Sequence, residues 1–238
     1  MRNVSPVMQR ELGAFFYSPI AYAVLTIFLL LLGIFFTATT FQPGNQSSLE
    51  GLANLMPVVF VLFLPVLTMR LLSDEYRTGT IETLMTAPVG ETDVVIGKFL
   101  GAYVFFIVML ATTLLYAFIV NAYGRLDWGM AASTYLGMLL LGALYLSVGL
   151  FFSACTGNQI IAAVSSMVLL LVFTFLADYL AMQAGGALKL TLRHLSIREH
   201  FHGFTRGLLD GNDIVFFVTS TGLFLFLTVK VLESRRWR

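Results

Sequence analysis

Residues 98–121 read KFLGAYVFFIVMLATTLLYAFIVN, and after Lys98 no side chain in this stretch carries a charge. A helix needs roughly 20 consecutive apolar residues to cross the hydrocarbon core of a bilayer, so this stretch is long enough to be a membrane span. It has companions. Spans are expected at about 20–41, 54–73, 98–121, 131–153, 159–182 and 214–232. The composition agrees: of 238 residues, 58% are hydrophobic and 11% charged, where a soluble domain carries about 25% charged residues. The expected fold is an all-α membrane protein with six transmembrane helices in a single domain over 1–238.

The same numbers exclude other classes. A net charge of +1 leaves no basic footprint, so no nucleic-acid partner is expected. The single cysteine, Cys155, cannot form an internal disulfide and reads as a small packing residue. The first apolar run is too long for the core of a signal peptide and follows some twenty residues, so it reads as a retained span.

Upstream of that run, Ser5-Pro6 forms a helix start, with Pro6 in the first turn where its missing N–H is harmless. Val4, Val7, Met8, Leu12, Phe15 and Phe16 recur at helical spacing, while Arg2, Gln9 and Arg10 lie off that face. Pro19 interrupts the run. Residues 1–19 are therefore expected to form an amphipathic helix lying in the membrane interface. Gly97-x-x-x-Gly101 is a weak dimerisation signal and more often marks ordinary packing.

Between spans two and three stands SDEYRTGTIETLMTAPVGETDVVIGK, residues 73–98. Ile81, Leu84 and Met85 share a helical face, with Glu82 and Thr86 pointing elsewhere. Pro88 stops that helix at Ala87, Val89-Gly90 turns the chain, and Thr92-Asp93 caps the next helix. An even number of spans puts both termini on one side. Arg2, Arg10, Arg77, Lys98, Lys230, Arg235, Arg236 and Arg238 share it, which the positive-inside rule makes cytoplasmic. The segment 74–97 is then a short, stiff cytoplasmic element.

On the opposite side, 183–213 is expected to hold external interfacial or re-entrant helices. Ser196-Ile197-Arg198-Glu199 forms a capping box. Ile197, Phe201, Phe204 and Leu208 follow on one face, with Arg198, His202 and Arg206 on the other, and Gly211 as the stop. His200, Phe201, Phe204 and Arg206 are candidates for an external gate. His200 and His202, two apart, point to different faces of one helix, which disfavours a metal site. Arg70 and Asp178, charged side chains near span ends, are functional candidates by default.

Three stretches together carry a family resemblance. Glu75-Tyr76-Arg77-Thr78-Gly79-Thr80-Ile81-Glu82-Thr83-Leu84, with Ala87-Pro88-Val89 and Gly97-Lys98, resembles the first cytoplasmic segment of ABC type-2 transporter permeases. Arg10-Glu11-Leu12 leading to Ser18-Pro19-Ile20-Ala21-Tyr22, and His200-Phe201 with Phe204, Arg206-Gly207 and Asp210, resemble the same family. The tail Leu232-Glu233-Ser234-Arg235-Arg236-Trp237 resembles its gliding-motility and copper-enzyme-maturation branch.

The resemblance implies a coupling helix after span two that docks on a separate ATPase subunit, with Glu75, Arg77, Gly79, Thr80, Ile81, Glu82, Leu84 and Met85 in the contact. It also implies a smaller contact at 154–158 and pairing with a second permease subunit, identical or related. A periplasmic or membrane auxiliary protein and the lipid bilayer complete the expected partners. The expected location is the bacterial cytoplasmic membrane, with ATP and magnesium on the ATPase.

The chain itself lacks a phosphate cradle: Gly97-Lys98 runs into Phe99, and position 92 is Thr where a P-loop has Gly. Two other readings stand beside permease. In one, the ATP-driven motion remodels a partner protein instead of exporting a solute. In the other, the chain is an intramembrane enzyme, which needs a catalytic constellation at membrane depth; the three histidines all lie in one external connection.

Overall fold

The computed structural model describes residues 4–40, 50–80, 90–123, 126–183 and 185–236, and every element among them is helical. In chain order these are α1 (Val4–Phe16), α2 (Pro19–Thr40), α3 (Glu50–Thr68), α4 (Arg70–Thr78), α5 (Glu91–Thr112) and α6 (Leu114–Tyr123). Then come α7 (Trp128–Cys155), α8 (Gln159–Leu171), a π-helical turn (Val172–Leu176), α9 (Ala177–Gln183), α10 (Gly186–Leu195), α11 (Ile197–Thr205) and α12 (Gly211–Arg236). Among the described residues, six helical runs are long and apolar enough to cross a membrane: Ala21–Ala38, Gly51–Thr78, Glu91–Tyr123, Trp128–Cys155, Gln159–Gln183 and Gly211–Ser234. The protein is a multi-pass helical membrane protein.

Proline and threonine shape the spans. Pro19 opens α2 at the position where its missing N–H costs nothing. Pro65 sits inside α3, yet Met69 N donates to Pro65 O at 2.9 Å, so helical bonding crosses into α4 and the second span runs on through Thr78. The third span breaks at Thr113, whose hydroxyl donates back to Leu110 O at 2.7 Å, a bond that bends helices. In the fifth span the π turn inserts one extra residue per turn. It brings buried Thr174 to fully buried Tyr145 of α7, their hydroxyls 2.7 Å apart.

The core gathers on α3 and α7, the spans most covered by neighbours, while α12 is the least covered. Small residues on α7 allow the approach. No room exists for a Cβ at Gly142, against the Phe106 ring, or at Gly149, against Thr68. Close packing by small residues is the usual device of helices that meet in lipid.

Three local expectations change. Helix α5 starts at Glu91 with Gly90 as an extended N-cap, so Thr92 and Asp93 do not cap it. They lie in the first turn, where Glu91 and Asp93 favour the positive helix end. Helix α11 ends at Thr205 instead of continuing to Leu208. Gly207 takes φ 80°, Leu208 N donates to Gly203 O at 3.0 Å and Gly207 N to Phe204 O at 3.2 Å, a Schellman closure. Leu208 is thereby exposed, and Gly211 begins α12. Cys155 ends α7 at an exposed position, so it is no packing residue.

The bundle has two distinct ends. One holds α1, α4, the start of α5 and the turn between α7 and α8. The other holds α10, α11 and the start of α12. Phe217 lies 6.2 Å from Phe204 and Phe224 lies 5.9 Å from Phe151, so α12 runs toward the α4 end.

Candidate coupling site

Helix α4 begins without a cap of its own: Met69 is helical and supplies no side-chain bond. The missing cap comes from the fourth span. Leu72 N and Ser73 N donate to Ser153 Oγ at 3.0 and 3.1 Å, and Ser153 Oγ donates to Met69 O at 2.9 Å. A hydroxyl on α7 thus satisfies first-turn N–H groups that would otherwise be orphaned in a buried place. At the far end Gly79 closes α4 at φ 73°, a conformation that favours glycine.

The inner face of α4 carries charge. Glu75 Oε1 lies 2.9 Å from both Lys98 Nζ and an Arg10 guanidinium nitrogen. Glu11 Oε1 lies 2.8 Å from Lys98 Nζ and 3.0 Å from the same Arg10 nitrogen. Two cations and two carboxylates therefore form a closed ring that ties α1, α4 and α5 together. The Lys98 side chain is 2% exposed, Glu11 12% and Glu75 15%. Charges this deep persist only when paired. Burial acts to lower the Arg10 pKa, but its bond to Glu11 and the charges of Glu11 and Glu75 outweigh this and hold it above its ordinary value.

Glycine positions the ring. A Cβ at Gly97 would stand 2.7 Å from Val7 Cβ, and one at Gly101 would stand 2.8 Å from Glu11 Cβ. The Gly97-x-x-x-Gly101 step is thus the seat of α1 on α5, the ordinary-packing reading of that motif. Phe15 stacks on Phe105 at 5.1 Å and extends the same contact.

The turn between α7 and α8 lies against α4. A Cβ at Gly157 would be 3.5 Å from Tyr76 Cβ, and Gln159 Nε2 donates to Asp74 Oδ1. Asn158 Oδ1 caps α8 by accepting from Ile160 N at 2.9 Å and Ile161 N at 3.4 Å. The two segments singled out in the sequence, 75–80 and 154–158, are brought together on one surface. Arg77, Thr78, Gly79, Thr80, Cys155 and Asn158 are exposed there.

The model for ABC-2 family transporter proteins matches residues 7–232. The chain belongs to the ABC-2 transporter family. No curated protein matches it. The match is to the family as a whole and distinguishes no branch within it. Proteins of this family generally work with ABC ATPase partners, so this ABC-2 chain is a permease subunit by family and by fold.

Among the residues expected in the ATPase contact of this ABC-2 permease, Arg77, Gly79 and Thr80 lie on the exposed surface, whereas Glu75 faces inward and closes the charge ring. Ile81, Glu82, Leu84 and Met85, with the Pro88 stop, lie outside the described residues. Of the two span-end charges, Arg70 Nε lies 3.5 Å from Asp74 and Asp178 lies 3.5 Å from Arg198.

At the opposite end, Ser196 Oγ accepts from Glu199 N at 3.4 Å, as the capping motif requires, while the Glu199 carboxylate pairs with Arg193 at 2.9 Å. Phe201 and Phe204 are buried. A Cβ at Gly137 would stand 2.6 Å from Phe204 Cβ, and Ser133 Oγ donates to Phe204 O at 3.0 Å. His200 Nδ1 lies 2.6 Å from Asp213 Oδ1, and Arg206 is exposed. The four gate candidates thus divide into two core side chains, one link to α12 and one surface cation.

Proposed function

We propose that this chain is the membrane subunit of an ATP-driven exporter, and that α4 with the 154–158 turn receives the stroke of a separate ATPase. The observation that carries the reading is the Glu75–Lys98 link within the buried ring. A push on α4 meets an element fastened electrostatically to α1 and α5 and capped from α7, so it moves three spans rather than bending a loop. Because packed interfaces switch between discrete arrangements, such a push favours a rigid-body shift of the bundle.

In this reading ATP and magnesium are held by the partner, the α4 end faces the cytoplasm of a bacterial inner membrane, and a second permease copy or relative completes the complex. Glu82 and the exposed Arg77 meet the ATPase. Co-expression with the cognate ATPase tests this. Glu82→Arg and Arg77→Glu are expected to leave the permease in the membrane and to abolish ATPase co-purification and stimulation. Unchanged stimulation in both variants would overturn the assignment of this face, and labelling of introduced cysteines at 77–80 from the periplasm would overturn the orientation.

A further inference from the structure

Behind the charge ring lies a cavity of about 210 Å³ where α1, α2, α3 and α4 meet. Its two halves differ in chemistry. One is polar, lined by Glu11, Asp74, Glu75, Lys98 and Arg70; the other is apolar, with Phe15, Ala21, Val24, Val66 and Leu67. Glu11, Asp74 and Glu75 face Lys98 and Arg70 in the polar half, and Arg10, outside the lining, pairs with both glutamates.

The ring shows where acceptor capacity is left over. Both glutamates use Oε1 for both cations, so neither Oε2 enters an ion pair among the described residues. Glu75 Oε2 is buried and has no hydrogen-bond partner among the described residues. Such an orphan carries a desolvation cost that an arriving donor relieves. Arg10 and Lys98 reach both carboxylates through Oε1 alone, so the donors of the ring leave Glu75 Oε2 unserved. The missing group is a cation with several N–H donors attached to an apolar body.

We propose that this cavity binds a bilayer phospholipid with a primary-amine headgroup. Its ammonium sits between the Oε2 atoms of Glu11 and Glu75, and its phosphate lies toward Arg70. A lipid is favoured over a soluble amine because the apolar wall joins Phe15 of α1 to the start of α2 and the end of α3, both inside membrane spans. The cavity admits a headgroup, and the acyl chains follow the exposed apolar side of α2, where Ile27, Leu30 and Ile34 are uncovered.

The test uses the full chain without any ATPase, so its outcome is separate from that of the coupling proposal. The purified protein is reconstituted in nanodiscs containing equal phosphatidylethanolamine and phosphatidylcholine, and the lipid it retains on release is identified by native mass spectrometry. The two headgroups share a phosphate, but the choline nitrogen has no N–H to donate. Loss of charge-assisted bonds of this kind corresponds to about tenfold or more in binding, so retention of the ethanolamine lipid is expected to exceed the other by at least that factor.

Glu75→Gln is expected to erase the preference. Ala14→Phe, at an exposed α1 position lining the cavity one turn from Arg10 and Glu11, fills it while keeping all four charges of the ring and is expected to abolish retention; it decides the matter if Glu75→Gln does not fold. Equal retention of the two lipids, or an unaltered preference in Ala14→Phe, would overturn the proposal. So would binding of a short alkylamine with no retention of the ethanolamine lipid, which would assign the site to a soluble amine.

Discussion

Lys98 Nζ stands 2.8 Å from Glu11 Oε1 and 2.9 Å from Glu75 Oε1. One ammonium at the start of the third span therefore joins the helix that prolongs the second span to the helix that precedes the first. Lys98→Met keeps the length of the stem and removes the charge, leaving two carboxylates with only the half-exposed Arg10 between them. Breaking a buried pair in this way costs about 3–5 kcal/mol. A large drop in the detergent unfolding temperature is expected. Adding Glu75→Gln should recover part of it, because the second change removes one of the abandoned charges; a double-mutant cycle measures that coupling. Strict additivity would mean that Lys98 and Glu75 do not depend on one another.

Gly97 and Gly101 set the distance between α1 and α5. A Cβ at Gly97 meets the branched Cβ of Val7, and one at Gly101 meets the root of the Glu11 side chain, so neither neighbour can swing away. Overpacking of this kind costs about 1–3 kcal/mol. Gly101→Ala is expected to loosen α1 and open it to protease while leaving permease self-association unchanged. A loss of self-association with α1 still protected would reassign the motif to the subunit interface.

The membrane architecture was legible because apolar runs such as 98–121 have no other stable solution in a bilayer. The site was legible only in part. The family resemblance places Glu75 with Arg77 and Thr80 in the ATPase contact, and neither it nor sequence spacing reveals that the helix turns this one carboxylate toward Lys98. A hint was present: Lys98 heads a long uncharged run, and a lysine at that depth requires a partner. Which partner is a matter of tertiary contact, since Glu11 and Arg10 arrive from α1. Ser153 and Gln159 gave still less signal, because a small hydroxyl or amide near a span end is ordinary until α4 is laid beside it. The premature end of α11 turns on Gly207 adopting positive φ, which its sequence context permits without demanding.

Ser153 Oγ serves Leu72 N, Ser73 N and Met69 O together. Ser153→Ala removes the cap of α4 while leaving its charged face in place. Loss of a capping hydroxyl costs about 1 kcal/mol, with a range of roughly 0.5–2. The expected result is a modest fall in unfolding temperature with a specific rise in amide exchange over 70–75. In the complex, ATP turnover should persist with weaker coupling to transport, since the lever is frayed at its base but still attached to α1 and α5. Exchange rising uniformly through α3 and α7 would indicate that Ser153 acts on packing and not as a cap.

His200 links three elements at the opposite end. Its ring stacks on Phe216 of α12 at a centroid distance of 4.0 Å and an interplanar angle of 16°. Nδ1 lies 2.6 Å from Asp213 Oδ1 and Nε2 lies 3.2 Å from His194 O, the latter in α10. His200→Phe retains the aromatic stack and deletes both polar links, so it separates the two contributions. Asp213, 16% exposed, then loses its nearest partner, at a cost of about 1–3 kcal/mol for an under-satisfied polar group. Faster amide exchange is expected across 186–213, with no change at α4. His200→Ala should show the same pattern with a larger amplitude, because the stack is lost as well. The two ends of the bundle share no residue of this cluster with the ring around Lys98, so ATPase association is expected to survive both variants. Equal acceleration of exchange at 70–78 would show instead that the two ends open as one cooperative unit.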